Sequence, residues 1–180
     1  MVPETGMVMN NEMNDFSIPD SDNAWGYAPS PANFVKPGKR PLSSISPIIV
    51  ESIETGEVYF LTGASGGSHI ITATTQSLWR VLDQKLSAPD ALAAPRFHDQ
   101  LIPNEVGQCH LDTSTLKLTL EKVSFEYEYS NATVQYMEEK KCHVSWSSRL
   151  SSVNAILRKT NGEFEPAAEP TYQGSGAYSY

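Results

Sequence analysis

Three stretches of the chain carry residue types that suit the binding of a small charged molecule. In Asn10-Asn11-Glu12-Met13-Asn14-Asp15, two carboxylates stand three residues apart with amides interleaved. On a turn or one helical turn, residues i and i+3 face the same way, so Glu12 and Asp15 are placed to grip one cation, such as a substrate ammonium. A solvated acidic turn has the same composition. In Pro41-Leu42-Ser43-Ser44-Ile45-Ser46-Pro47, adjacent hydroxyls lie between prolines that fix the backbone. Fixed hydroxyls at Ser43 and Ser44 can donate to a carboxylate, or simply satisfy their own loop. In Gly63-Ala64-Ser65-Gly66-Gly67-Ser68, glycines sit between an apolar run and a helical pattern. There backbone N–H groups are unobstructed by Cβ atoms, and the helix dipole favours an anion or oxyanion. A tight turn that needs glycine for close packing is the other reading. No Lys-Ser or Lys-Thr follows, so the loop is not a nucleotide-phosphate loop.

Other chemistry is less well founded. His69, His98, His110 and His143 are scattered, and Cys142-His143 are adjacent, which on a strand turns them to opposite faces. No metal site and no cofactor is expected. A Ser/His/Asp triad can be drawn from Ser44 or Ser68 with His98 and Asp99, but no Gly-x-Ser-x-Gly elbow supports it. Cys109 and Cys142 can pair or remain buried thiols. Asn131-Ala132-Thr133 is an N-glycosylation acceptor that matters only in the secretory pathway.

The elements that must position these residues follow from composition and pattern. The 180 residues favour one domain or part of a larger one, and 39% apolar against 19% charged residues excludes the disordered class. The balance of 13 Lys+Arg against 21 Asp+Glu, a net charge of −8, argues against nucleic acid as a partner. No apolar run approaches the roughly 18 residues a bilayer span needs, and the acidic start is unlike a secretion signal. If the protein acts outside the cytosol, its targeting information is expected to lie elsewhere.

Seven of the 12 prolines precede residue 48. Residues 1–46 are therefore expected to be an extended loop region, ordered by Phe16, Trp25, Tyr27, Phe34 and Leu42. Ile48 to Val50 and Val58 to Leu61 predict a β-hairpin covered on both faces. Ser68 is the expected N-cap of a helix whose apolar residues are Ile71, Leu78 and Leu82, with Thr75 in register. A second helix is predicted over Pro89 to Ala94, capped by Ser87. A third should run from Asp112 or Thr113 to about Val123, with Leu116 and Leu120 on the same face. Thr133 to Met137, His143 to Ser147 and Val153 to Arg158 are predicted strands, and Thr160-Asn161-Gly162-Glu163 a hairpin turn. The sheet and helix layers thus occupy 47–165, within a domain of 1–165, and 166–180 is expected to pack loosely.

The stretches taken together resemble the small subunit of γ-glutamyltransferases (glutathione hydrolases), in the N-terminal-nucleophile hydrolase superfamily. The resemblance rests on Thr5-Gly6, Asn10 to Met13 with Asp15-Phe16, Pro29 to Phe34, Pro37 to Ser44, Gly66-Gly67-Ser68 and Pro95-Arg96-Phe97-His98. It is dense from about Thr5 to Asn104 and weaker through Arg158. It implies an α+β fold, part of a four-layer αββα sandwich, and cleavage of γ-glutamyl amides such as glutathione with transfer to water, amino acids or peptides. By this resemblance Glu12 and Asp15 bind the α-ammonium, Ser43 and Ser44 the α-carboxylate, and the Gly66 and Gly67 N–H groups form the oxyanion hole.

The family's nucleophile is a threonine freed by autocleavage upstream of the Asn-Asn-Glu-Met segment, and Thr5 is not that residue. Asn14 stands where the family usually has an acid. The large subunit and the upstream small-subunit segment are the partners the resemblance implies, and the family works extracellularly, at the cell surface or in vacuoles. The chain alone is accordingly expected to be inactive, as a fragment, a truncated gene model or a degenerate paralogue. The alternative is a non-catalytic binding or interaction module.

Overall fold

The structure, a computed structural model, describes residues 3–43, 45–100, 122–140 and 142–179. It forms two compact units, Met1–Ser44 and Ile45–Tyr180.

Among its described residues the first unit has no regular strand or α-helix, as its prolines dictate. Two 3₁₀ turns, Glu12–Asp15 and Pro31–Asn33, and isolated bridges at Ser17–Phe34 and Ile18–Ser21 give it shape. The aromatic anchors expected to order it do so only in part. Phe16, Tyr27 and Phe34 are half-buried, while Trp25 and Leu42 are exposed. Among the described residues of this unit the buried one is Asn33, at 6% exposure, a polar side chain where apolar anchors were expected.

The second unit has an antiparallel four-stranded sheet in the order β1-β2-β6-β7, where β1 is Ile48–Glu51, β2 Val58–Ser65, β6 Ser152–Arg158 and β7 Phe164–Ala167. Helices α1 (His69–Leu82) and α2 (Ala88–Ala93) pack on one face. Phe60, Val153, Ala155 and Ala167 from the sheet meet Ala73, Val81, Ala88, Ala91 and Leu92 from the helices. Alanines at the contact let the α2 backbone approach the strands closely. On the opposite face Ile49, Ile156 and Phe164 are 63%, 39% and 48% exposed. Among the described residues the β1–β2 hairpin, expected to be covered on both faces, has helices on one, the side on which α1 and α2 both pack. The predicted Asn161-Gly162 turn joins β6 to β7, with Gly162 at φ +87°.

Helix α1 forms where expected but buries a different face. Ile70, Ala73, Thr74, Ser77 and Val81 point inward, and Ile71 is 66% exposed. On that face Ser77 meets the Thr62 hydroxyl at 3.1 Å, the Thr74 hydroxyl is buried without a partner, and Gln76 and Arg80 are buried because they satisfy neighbouring backbone. Gln76 donates to Phe97 O at 2.7 Å and accepts from Phe97 N at 3.1 Å, completing the edge of the next strand. Arg80 donates to Ala91 O, Ala94 O and Pro95 O, closing the carbonyl end of α2. Ser87 caps α2 as predicted, accepting from Asp90 N at 3.2 Å.

A three-stranded sheet, β3-β4-β5, follows from Phe97–Asp99, Lys122–Glu126 and His143–Ser147. β4 and β5 are parallel, which requires a crossover, and α3 (Asn131–Glu139) supplies it. The strand predicted at Thr133 to Met137 is therefore a helix. Ser130 accepts from Thr133 N at 3.4 Å and starts it, and Val134 and Met137 pack on Val123 and Phe125. Val123, predicted to end a helix, is buried in β4. The remainder of that predicted helix lies outside the described residues. The chain beyond Pro166 was expected to pack loosely, yet Ala167 and Glu169 are buried; residues 170–179 are exposed.

Candidate functional site

In the first unit the 3₁₀ turn fixes the acidic pair. Its three-residue pitch stacks positions i and i+3, so Glu12 and Asp15 share one edge. Asn10 Oδ1 accepts from Glu12 N at 3.1 Å, and Asn14 N donates to Asn11 O at 2.9 Å. The interleaved amides of the motif therefore build the turn that presents the acids. Asn33 then ties this turn to the serine stretch. Its Nδ2 donates to Asp15 O at 2.8 Å, and its Oδ1 accepts from Leu42 N, next to Ser43, at 3.1 Å. One buried carboxamide links the backbone behind Asp15 to the backbone ahead of Ser43. Ser43 is exposed, and Ser44 lies outside the described residues. Asn33 belongs to a segment legible only as a proline-rich loop, so nothing in its local pattern marked it as the hub.

In the second unit Gly66 and Gly67 occupy the turn between β2 and α1, with φ of +129° and +62°. Both angles favour glycine. A Cβ on Gly66 would stand 3.3 Å from Leu150 O and 3.4 Å from Ser151 Cα. The carbonyls of the doublet accept from His69 N and Ile70 N. Among the described residues neither glycine N–H finds an acceptor outside the β2–β6 ladder. Ser68, expected to cap α1, has helical φ and ψ and makes no capping bond. Its hydroxyl is instead buried without a partner, a costly arrangement unless something accepts from it.

The segment behind this turn is held by buried charge. Arg96 Nη2 lies 3.0 Å from Glu126 Oε1 and its Nη1 2.9 Å from Glu169 Oε2, all three side chains being buried. Glu126 also accepts from Leu150 N at 2.8 Å, and Glu169 from Val153 N at 3.1 Å. Ser151, between these clamps, donates to Ser65 O at 2.6 Å. Burial alone would raise the Glu169 carboxyl, but the Arg96 and Thr171 hydrogen bonds prevail and hold it below its ordinary value. His69, the first residue of α1, stacks edge-on against His98 at 4.3 Å. Burial first, and then His98, lower the His69 imidazole against the opposing pull of Leu150 O and Glu126. Neither the charge cluster nor the histidine pair shows in local spacing, since its members come from different elements.

The drawn Ser/His/Asp triad is not assembled with Ser68. His98 Nδ1 lies 2.9 Å from Thr72 Oγ1 and Nε2 2.7 Å from Gln100 Oε1, so both ring nitrogens are engaged. Among the described residues no group of three metal-ligating side chains gathers. Cys142 is disulfide-bonded and not a thiol; Cys109 and His110 lie outside the described residues.

The family model for gamma-glutamyltranspeptidase matches residues 1–179. The glutathione hydrolase proenzyme of Arthroderma benhamiae is 46% identical over 98% of this chain, and that of Escherichia coli 36% over 93%. The chain spans about a quarter of their lengths, 27% and 26%. The gamma-glutamyltranspeptidase of Pseudomonas nitroreducens, solved in complex with L-DON, superposes with a TM-score of 0.77 at 29% identity, covering 100% of this chain and 86% of that one. Matching over nearly its whole length in sequence, and carrying the same α+β, N-terminal-nucleophile hydrolase type of fold, the chain belongs to the γ-glutamyltranspeptidase family.

Proposed function

We propose that this chain is the ligand-reading portion of a γ-glutamyltransferase or glutathione hydrolase. Glu12 and Asp15 take the α-ammonium of a γ-glutamyl compound such as glutathione, and Ser43 and Ser44 its α-carboxylate. The Gly66 and Gly67 N–H groups stabilise the oxyanion formed when the γ-carbonyl is attacked. The observation that carries the reading is the Asn33 carboxamide, which joins the acid-bearing turn to the serine stretch and so supports their use on one amino-acid head. Open N–H groups at the doublet and the unpartnered Ser68 hydroxyl support an acceptor at that turn.

The attacking group is assigned to a partner segment, the upstream part of the small subunit, and further contacts to the large subunit. The 180-residue polypeptide should release no chromophore from a γ-glutamyl anilide, and turnover above buffer would reject this division of labour. Calorimetry with glutamate or a non-hydrolysable γ-glutamyl analogue should detect binding that weakens in the Glu12→Gln, Asp15→Asn double variant. Unchanged affinity in that variant would reject the assignment of the head.

A further inference from the structure

The acceptor motif Asn131-Ala132-Thr133 has no part in the chemistry above, and the structure gives it a setting. Asn131 is the first residue of α3, and all three residues of the motif are exposed. Among the described residues the Asn131 carboxamide makes no hydrogen bond. The start of the helix does not depend on it, because Ser130 supplies the cap through Thr133 N. α3 meets its sheet through Val134 and Met137. A large group on Asn131 Nδ2 would therefore break no hydrogen bond among the described residues.

A second observation, independent of the motif, comes from the other end of the same module. Cys142, whose N–H donates to Met137 O at 3.0 Å at the end of α3, is disulfide-bonded. Such a bond forms and persists where thiols are oxidised, as in the secretory lumen, and is rare in the cytosol. The compartment that would oxidise Cys142 is also the one in which acceptor asparagines are glycosylated.

We propose that Asn131 carries an N-linked glycan. In the transfer, Asn131 Nδ2 forms a bond to the anomeric carbon of an oligosaccharide donated from a lipid pyrophosphate. The glycosyl–oxygen bond of the donor breaks, its electron pair leaves with the pyrophosphate, and one amide proton is lost. No oxidant or reductant takes part. The site requires a hydroxyl residue at 133 and tolerates any residue but proline at 132.

The test uses the protein isolated from its own cells, digested to peptides before and after treatment with peptide-N-glycosidase in heavy-oxygen water. The expected result is that the peptide spanning Asn131 appears only after treatment, with Asn131 converted to oxygen-labelled aspartate. Recovery of unmodified Asn131 in that peptide at full yield before treatment would overturn the proposal. In cells expressing variants, Asn131→Gln and Thr133→Ala should both abolish the modification, while Ala132→Ser should retain it. Retention of the glycan in Thr133→Ala would also overturn the assignment. Failure of this proposal would leave the ligand-reading role untouched, since none of its residues is involved.

Discussion

The two units keep their order by opposite means. In Met1–Ser44 the buried residue is an asparagine, and shape comes from 3₁₀ turns and from side chains bonded to backbone. In Ile45–Tyr180 two apolar clusters are buried, and a charge cluster stitches β3, β4, β6 and the segment after β7 together. The difference separates two ways of presenting chemistry. A loop unit displays charged and hydroxyl side chains to solvent, while a layered unit presents backbone N–H groups at a turn whose positive φ angles favour glycine.

The comparison can be broken most severely at Arg96. Arg96→Met strands two buried carboxylates, and loss of one partner of a buried ion pair costs about 3–5 kcal/mol. Denaturant unfolding should show that loss in the second unit, and a change below about 1 kcal/mol would mean the cluster is solvated. Acid should attack the same unit. His69 and Glu169 both have folded values below their ordinary ones, so each contributes stability that is present above its ordinary value and lost as pH falls through its depressed folded value. Unfolding midpoints measured across pH should fall on acidification, and His69→Gln should remove the part of the fall nearest neutrality.

Asn33→Ala should act on the first unit alone, costing about 1–3 kcal/mol through the unsatisfied Asp15 O and Leu42 N groups. Hydrogen exchange at Leu42 should quicken while exchange in β2 and β6 stays constant. Equal quickening in both places would erase the distinction between the units. A smaller effect, about 1 kcal/mol, is expected for Ser87→Ala from loss of the α2 cap, read as a lowered unfolding midpoint.

Much of this organisation was legible in the sequence. The strand, glycine turn and helix from Val58 to Leu82 could be placed because apolar runs, paired glycines and helical spacing occur together there. That Glu12 and Asp15 share an edge was legible because residues three apart face the same way on a tight turn, a placement that a cation grip and a solvated acidic turn have in common. α3 was misread because Thr133 and Val134 favour strands locally, whereas the parallel β4–β5 pair demands a crossover that no local pattern announces. The inward face of α1 was misread because Gln76 and Arg80 are buried by hydrogen bonds to Phe97 and α2, partners that sequence spacing does not reveal. Asn33 and the Arg96–Glu126–Glu169 cluster were invisible for the same reason: their roles come from residues far away in the chain.

The proposed division, in which the first unit holds the glutamyl head and the Gly66-Gly67 turn stabilises the oxyanion, is tested most directly by steady-state hydrolysis of a γ-glutamyl anilide by this chain assembled with the upstream small-subunit segment and the large subunit. Asp15→Asn should raise KM by roughly tenfold or more through loss of a charge-assisted hydrogen bond, with a smaller change in kcat. Gly67→Ala, strained at φ +62°, should lower kcat by up to about 10²-fold as the oxyanion donors shift, with KM little changed. Identical effects of the two substitutions on both constants, or no effect of either, would contradict the account.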